Sequence, residues 1–123
     1  MSKAVLAHVN KRLVEAGINY EFGEWKSKLI YPYFVGEYQD APLSEEDGSK
    51  ESTLILNGFT TGTWIELEEA RDTIEKLFTY DTSILDNGSG LSVSYNGSLI
   101  IPTGDAALKR IQINLSIKEW RVK

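Results

Sequence analysis

A single histidine, a run of carboxylates and two polar glycine-containing loops are the parts of this chain whose residue types could do chemistry. His8 is the only histidine and the chain has no cysteine. A zinc or iron site draws on several imidazoles or thiolates, so His8 has no partner for one and reads as a helix-surface or boundary residue. Glu66, Glu68, Glu69, Asp72 and Glu75 crowd one short stretch. Paired carboxylates serve as general acid and base when they flank a reacting group, but this set has no nucleophile beside it and reads as the wet face of a helix. Glu45-Glu46-Asp47-Gly48 is acidic enough for a calcium loop, yet lacks the alternating oxygen ligands and the closing glutamate. Asn87-Gly88-Ser89-Gly90 lacks the lysine and spacing of a phosphate-binding loop, and no serine stands in Gly-x-Ser-x-Gly. The residues therefore predict no catalytic site, no metal and no cofactor.

The aromatic side chains are more informative. Tyr31, Tyr33, Phe34 and Tyr38 crowd one segment, close in sequence to Trp25, and aromatic residues are enriched where proteins meet. The acidic stretch with Glu45, Glu46 and Asp47 follows directly. Together they predict an interface, with self-association as its first use.

Composition sets the frame for these residues. A chain of 123 residues fits one domain able to bury a core without staples. The missing cysteines are compatible with a reducing compartment. No apolar run resembles a signal peptide or a membrane span, so the sequence reads as soluble and unsecreted, and three Asn-x-Ser matches at Asn87, Asn96 and Asn114 carry little weight. Thirteen basic against eighteen acidic residues give a net charge of −5. That is the wrong sign for holding phosphates by counterion release, which argues against tight nucleic-acid binding.

The elements that must position the aromatics follow from periodicity. Ser2 is placed to cap a helix in which Val5, Leu6, Val9, Leu13 and Val14 share a face, ending at Gly17. Ile18, Tyr20 and Phe22 alternate with polar residues as a strand does. The apolar run over residues 29–38 contains Pro32, so its strand lies at an edge or begins after the proline. Residues 39–51 read as a mobile acidic loop. The next strand covers residues 53–59, with Leu54 and Leu56 in the core and Phe59 joining them if Gly58 disturbs the register. Thr63-Trp64-Ile65-Glu66 is a capping box opening a second helix. A loop over residues 79–90 follows, then two strands joined at Asn96-Gly97, the strongest short hairpin signal. Residues 109–120 alternate strictly as a long final strand, and a phase change to Trp120 and Val122 predicts a bulge near Lys118 and Glu119. The whole predicts one α+β domain, residues 1–123, with a mostly antiparallel sheet and two amphipathic helices packed on one face.

Three segments carry a family resemblance: Pro32-Tyr33-Phe34-Val35-Gly36-Glu37-Tyr38, then Gly62-Thr63-Trp64 opening a helix, then Leu108-Lys109-Arg110-Ile111-Gln112-Ile113-Asn114-Leu115 with a late Trp120. They resemble the small tail-terminator (tail-completion) proteins of long-tailed bacteriophages and prophages of Gram-positive hosts, and the resemblance covers nearly the whole chain. It implies an α+β structural protein that forms a hexameric ring on the finished tail tube, stops its growth and presents a surface to the head connector. The implied partners are copies of itself, tube subunits and connector subunits. The implied location is the host cytoplasm during assembly and then the virion tail or neck. No enzyme activity, cofactor or individual binding residue comes with it. A head-completion or stopper protein of the phage neck and a host module that binds a small ligand are the competing expectations.

Overall fold

The computed structural model describes the chain except for residues 1–2, 41–48, 80, 86–87 and 121–123. The expectations for Ser2, Glu45, Glu46, Asp47, Asn87 and Val122 fall outside the described residues. In chain order the elements are α1 (Lys3–Glu15), β1 (Tyr20–Phe22), β2 (Tyr33–Asp40), β3 (Ser49–Thr60), α2 (Trp64–Leu77), β4 (Asp81–Ile84), β5 (Gly90–Ile101) and β6 (Lys109–Trp120).

The strands form one sheet in the order β1-β2-β3-β6-β5-β4, with β1 parallel to β2 and every other pair antiparallel. This is the expected α+β fold with a mostly antiparallel sheet. Its core lies between one face of the sheet and the two helices. Val5, Val9 and Leu13 recur every fourth residue on α1 and are fully buried, as are Leu67 and Ile74 of α2. They meet Phe34, Leu54, Leu56, Leu91, Val93, Ile111, Ile113, Leu115 and Ile117 from the sheet. The buried stripe of α1 is narrower than the sequence suggests, because Leu6 is only half-buried and Val14 is exposed.

Helix α1 stops and α2 starts where the sequence places them. Gly17 has φ +81°, and the Gly17 and Ile18 amides donate to the Val14 and Leu13 carbonyls at 3.0 Å each, closing α1 in a Schellman motif. Thr63 caps α2 by accepting from the Glu66 amide at 3.3 Å. The return half of the capping box differs: the Glu66 carboxylate accepts from the Thr60 hydroxyl at 3.1 Å instead of from the Thr63 amide.

Several strand expectations are corrected. Asn96-Gly97 does not turn the chain. Tyr95 pairs with Leu115 and Ser98 with Ile113, so Asn96 and Gly97 together oppose Asn114 as a bulge inside one continuous strand. A type I′ turn needs positive φ at both central residues; only Gly97, at φ +102°, has it. The true hairpin connection between β5 and β6 lies beyond Pro102. No bulge interrupts β6 near Lys118 and Glu119, whose pairing to β3 and β5 runs on in register, so Glu119 is buried and Trp120 is turned outward. Gly58 does not disturb β3 either, and Phe59 lies on the face away from the core. Residues 79–90, expected as a loop, contain β4, and the ends of the expected acidic loop, Gln39 and Glu51, belong to β2 and β3. Strand β2 does begin just after Pro32.

Candidate interaction surface

Both helices cover the same face of the sheet, and among the described residues no element packs on the other. The strand register fixes what that open face shows. One row across it reads Tyr33, Phe59, Arg110 and Ile101, and the next reads Glu21, Val35, Asn57, Gln112 and Leu99. The bulge at Asn96-Gly97 changes the phase of β5, which is why Leu99 and Ile101 join these rows while Leu91 and Val93 lie in the core.

Aromatic rings gather at the first of these rows. Tyr33 stacks on Phe59 with centroids 5.2 Å apart, and Trp25 and Tyr31 pack on Tyr33 at 5.0 and 5.6 Å. The Arg110 guanidinium lies over Phe59 at 5.5 Å and donates to the Asn57 side-chain carbonyl at 2.8 Å, while Asn57 donates on to Glu37 at 3.2 Å. This chain of polar contacts orients the guanidinium above the ring, where cation and π-face attract. Burial pushes the Tyr33 phenol up, and the neighbouring Tyr31 adds to the shift, so the Tyr33 hydroxyl stays a neutral donor at physiological pH. The loop that carries Trp25 is pinned at its base by Glu21, whose carboxylate accepts from the Lys26 and Ser27 amides at 3.3 and 3.2 Å.

The structure thus divides the residues singled out from sequence. Tyr31 and Tyr33 belong to the patch. Phe34 does not: it is 1% exposed and points into the core, where it lies against Gly58. Tyr38 shares the core-side phase with Phe34 but lies beyond the helices, stacked on Phe22 at 5.8 Å and open to solvent. Sequence reading missed Phe59, Arg110, Leu99 and Ile101. Strict alternation through Gly58 would have placed Phe59 with Thr53, Ile55 and Asn57; Leu99 and Ile101 needed knowledge of the bulge.

On the opposite side of the molecule, α2 turns an acidic face to solvent. Ile65 is 68% exposed, and Glu68, Glu69 and Asp72 follow it at helical spacing on the same side. Lys76 holds the Asp72 carboxyl below its usual range through a 2.9 Å ion pair, and the hydrogen bonds that Arg71 donates to Tyr95 and then to Glu68 raise the Arg71 guanidinium.

His8, far from both surfaces in sequence terms, meets Asp81 at 2.9 Å between its Nε2 and a carboxylate oxygen, with Arg12 Nε 3.8 Å from the same oxygen. Asp81 is 8% exposed and sits on β4, so the cluster ties α1 to the sheet edge. A cleft of about 280 Å³ between the α1–β1 turn and α2 is lined by Ile18, Phe34, Glu66 and Glu69, and a second of about 380 Å³ by Trp64, Ile100, Asp105 and Lys109. Neither brings a nucleophile to a base. Among the described residues no three His, Cys, Asp or Glu side chains are grouped to hold a metal, and no helix is long and apolar enough to cross a membrane. Compared with known proteins, the chain matches no family model and no curated sequence.

Proposed function

We propose that this chain is a structural tail-terminator (tail-completion) protein of a long-tailed phage or prophage, a subunit that assembles with its own copies into a ring, caps the tail tube and joins it to the head connector. The observation that carries this reading is the aromatic patch on the uncovered sheet face. Tyr33, Phe59, Trp25 and Tyr31 with Arg110 have the composition of an interface core, rich in aromatic residues and arginine. Two of the three segments that carry the family resemblance meet there, since Tyr33 comes from the first and Arg110 from the last. A protein built to be covered by neighbours accounts for both facts.

Deleting the gene tests the reading. The expected phenotype is overlong tubes, or tails of normal length that fail to join filled heads, seen by electron microscopy and restored by supplying the gene in trans. Filled heads that leak DNA assign the protein to head completion instead. Normal particles remove it from the neck altogether.

A further inference from the structure

We infer that the unpaired end of β5 takes up the same strand of a second copy, so that two sheets join edge to edge across a twofold axis. Strand β4 pairs with β5 only from Gly90 to Val93, and among the described residues no strand lies beside the remainder as far as Ile101. That remainder is an open sheet edge. Opposite Leu115, the Tyr95 amide points away from β6 and donates to the Phe78 carbonyl at 2.9 Å. Beyond the bulge, Leu99 and Ile101 lie opposite Gln112 and Arg110, the β6 residues whose main-chain groups turn toward β5. Ser98 and Ile100 are left with theirs facing outward. A row of outward N–H and C=O groups is the recognition surface for another extended segment.

Charge, side-chain chemistry and register make that segment the same strand. Residues 94–101 contain no charged side chain, whereas the open stretch of β2 beyond the reach of β1, residues 37–40, holds two acids. Proteins guard sheet edges with charge, and the β5 edge is unguarded. Leu99 is 46% and Ile100 56% exposed, on opposite faces of the sheet, and Ile100 shares a cleft with the exposed Trp64. A strand seated here must be apolar on both faces, as β5 itself is. Ser98 and Ile100 flank Leu99 symmetrically, so a twofold axis through Leu99 sets Ser98 against Ile100 of the other copy and Ile100 against its Ser98. Both pairs then exchange their two main-chain hydrogen bonds, and Leu99 meets its own counterpart with Cα atoms about 4.5 Å apart. The bulge at Gly97 and the missing N–H of Pro102 bound this ladder at its two ends. The axis stands normal to the sheet, so both aromatic patches face the same way on one continuous sheet. Such an isologous pair closes on itself and builds no ring, which makes the inference independent of the tail-terminator reading.

Position 99 tests this, because there a side chain meets itself. Leu99 is solvent-facing, and unchanged thermal melts verify that its variants fold. In sedimentation velocity at high protein concentration, the wild-type chain is expected to form a reversible dimer. Leu99→Lys and Leu99→Glu each set like charges face to face and lose about tenfold or more in association. Their equimolar mixture sets Lys against Glu and recovers dimers, an outcome that a contact between two different surfaces does not produce. A second variant avoids added charge. The chain has no cysteine, so mild oxidation of Leu99→Cys should give a disulfide-linked dimer at a concentration where Thr61→Cys, at an exposed bend, stays monomeric. A monomeric wild-type chain, a Leu99→Lys variant that associates as well as wild type, a mixture that remains monomeric, or a Leu99→Cys variant that links no faster than Thr61→Cys overturns the inference. Overlong tails in the deletion mutant beside a monomeric wild-type protein sink this contact and leave the proposed function standing.

Discussion

Two glycines on adjacent strands hold the aromatic residues of the core in place. Phe34 lies across Gly58 and Tyr20 across Gly36, so closely that a Cβ at either glycine overlaps the ring. Gly58→Ala and Gly36→Ala should each destabilise the fold by about 1–3 kcal/mol, measured by urea unfolding, because the ring must leave its packed rotamer. The same burial pushes the Tyr20 phenol from 10.0 to about 12. Between those values the folded state keeps a proton that the unfolded chain has lost, so stability present below the lower value drains away as pH rises through the higher one. The loss should total on the order of 3 kcal/mol, and Tyr20→Phe should flatten that alkaline limb in unfolding curves taken across the range. The tyrosines were legible in sequence as a group, but their sides were not. Tyr33 and Phe34 are neighbours in the chain and face opposite ways because the strand period is two.

At the scale of elements, local signals read well wherever the backbone closes on itself. Gly17 ends α1 and Thr63 starts α2 as their residue types dictate, and Thr63→Ala should cost about 1 kcal/mol in thermal stability by freeing the Glu66 amide. The Asn96-Gly97 signal failed because β6 is long enough to pair with β5 on both sides of it, and a continuous ladder leaves room only for a bulge. Gly97→Val should therefore destabilise by about 1–2 kcal/mol through its positive φ. Strand β4 was invisible since four residues carry little periodicity; a long-range tie to α1 anchors it. For that tie, a double-mutant cycle with His8→Ala and Asp81→Ala should return a coupling of about 1–2 kcal/mol, since each group loses a charge-assisted hydrogen bond in a nearly buried site. A coupling near zero would mean that apolar packing alone docks α1.

For the whole molecule, the layer arrangement was legible because each helix shows one apolar stripe and the long strands alternate. The patch was only half legible: Trp25, Tyr31 and Tyr33 are close in sequence, whereas Phe59, Arg110 and Ile101 reach it through register between strands far apart in the chain. The sheet order has a further consequence. Strand β6 follows all the other strands in the chain yet sits in the middle, with β3 on one side and β5 on the other. Until it has left the ribosome, β1-β2-β3 and β4-β5 remain two separate ribbons with a raw edge each, and no contact made earlier in synthesis can seal them. The sheet therefore cannot be completed before β6 is present, and until then the edges of β3 and β5 are open to pairing with other chains.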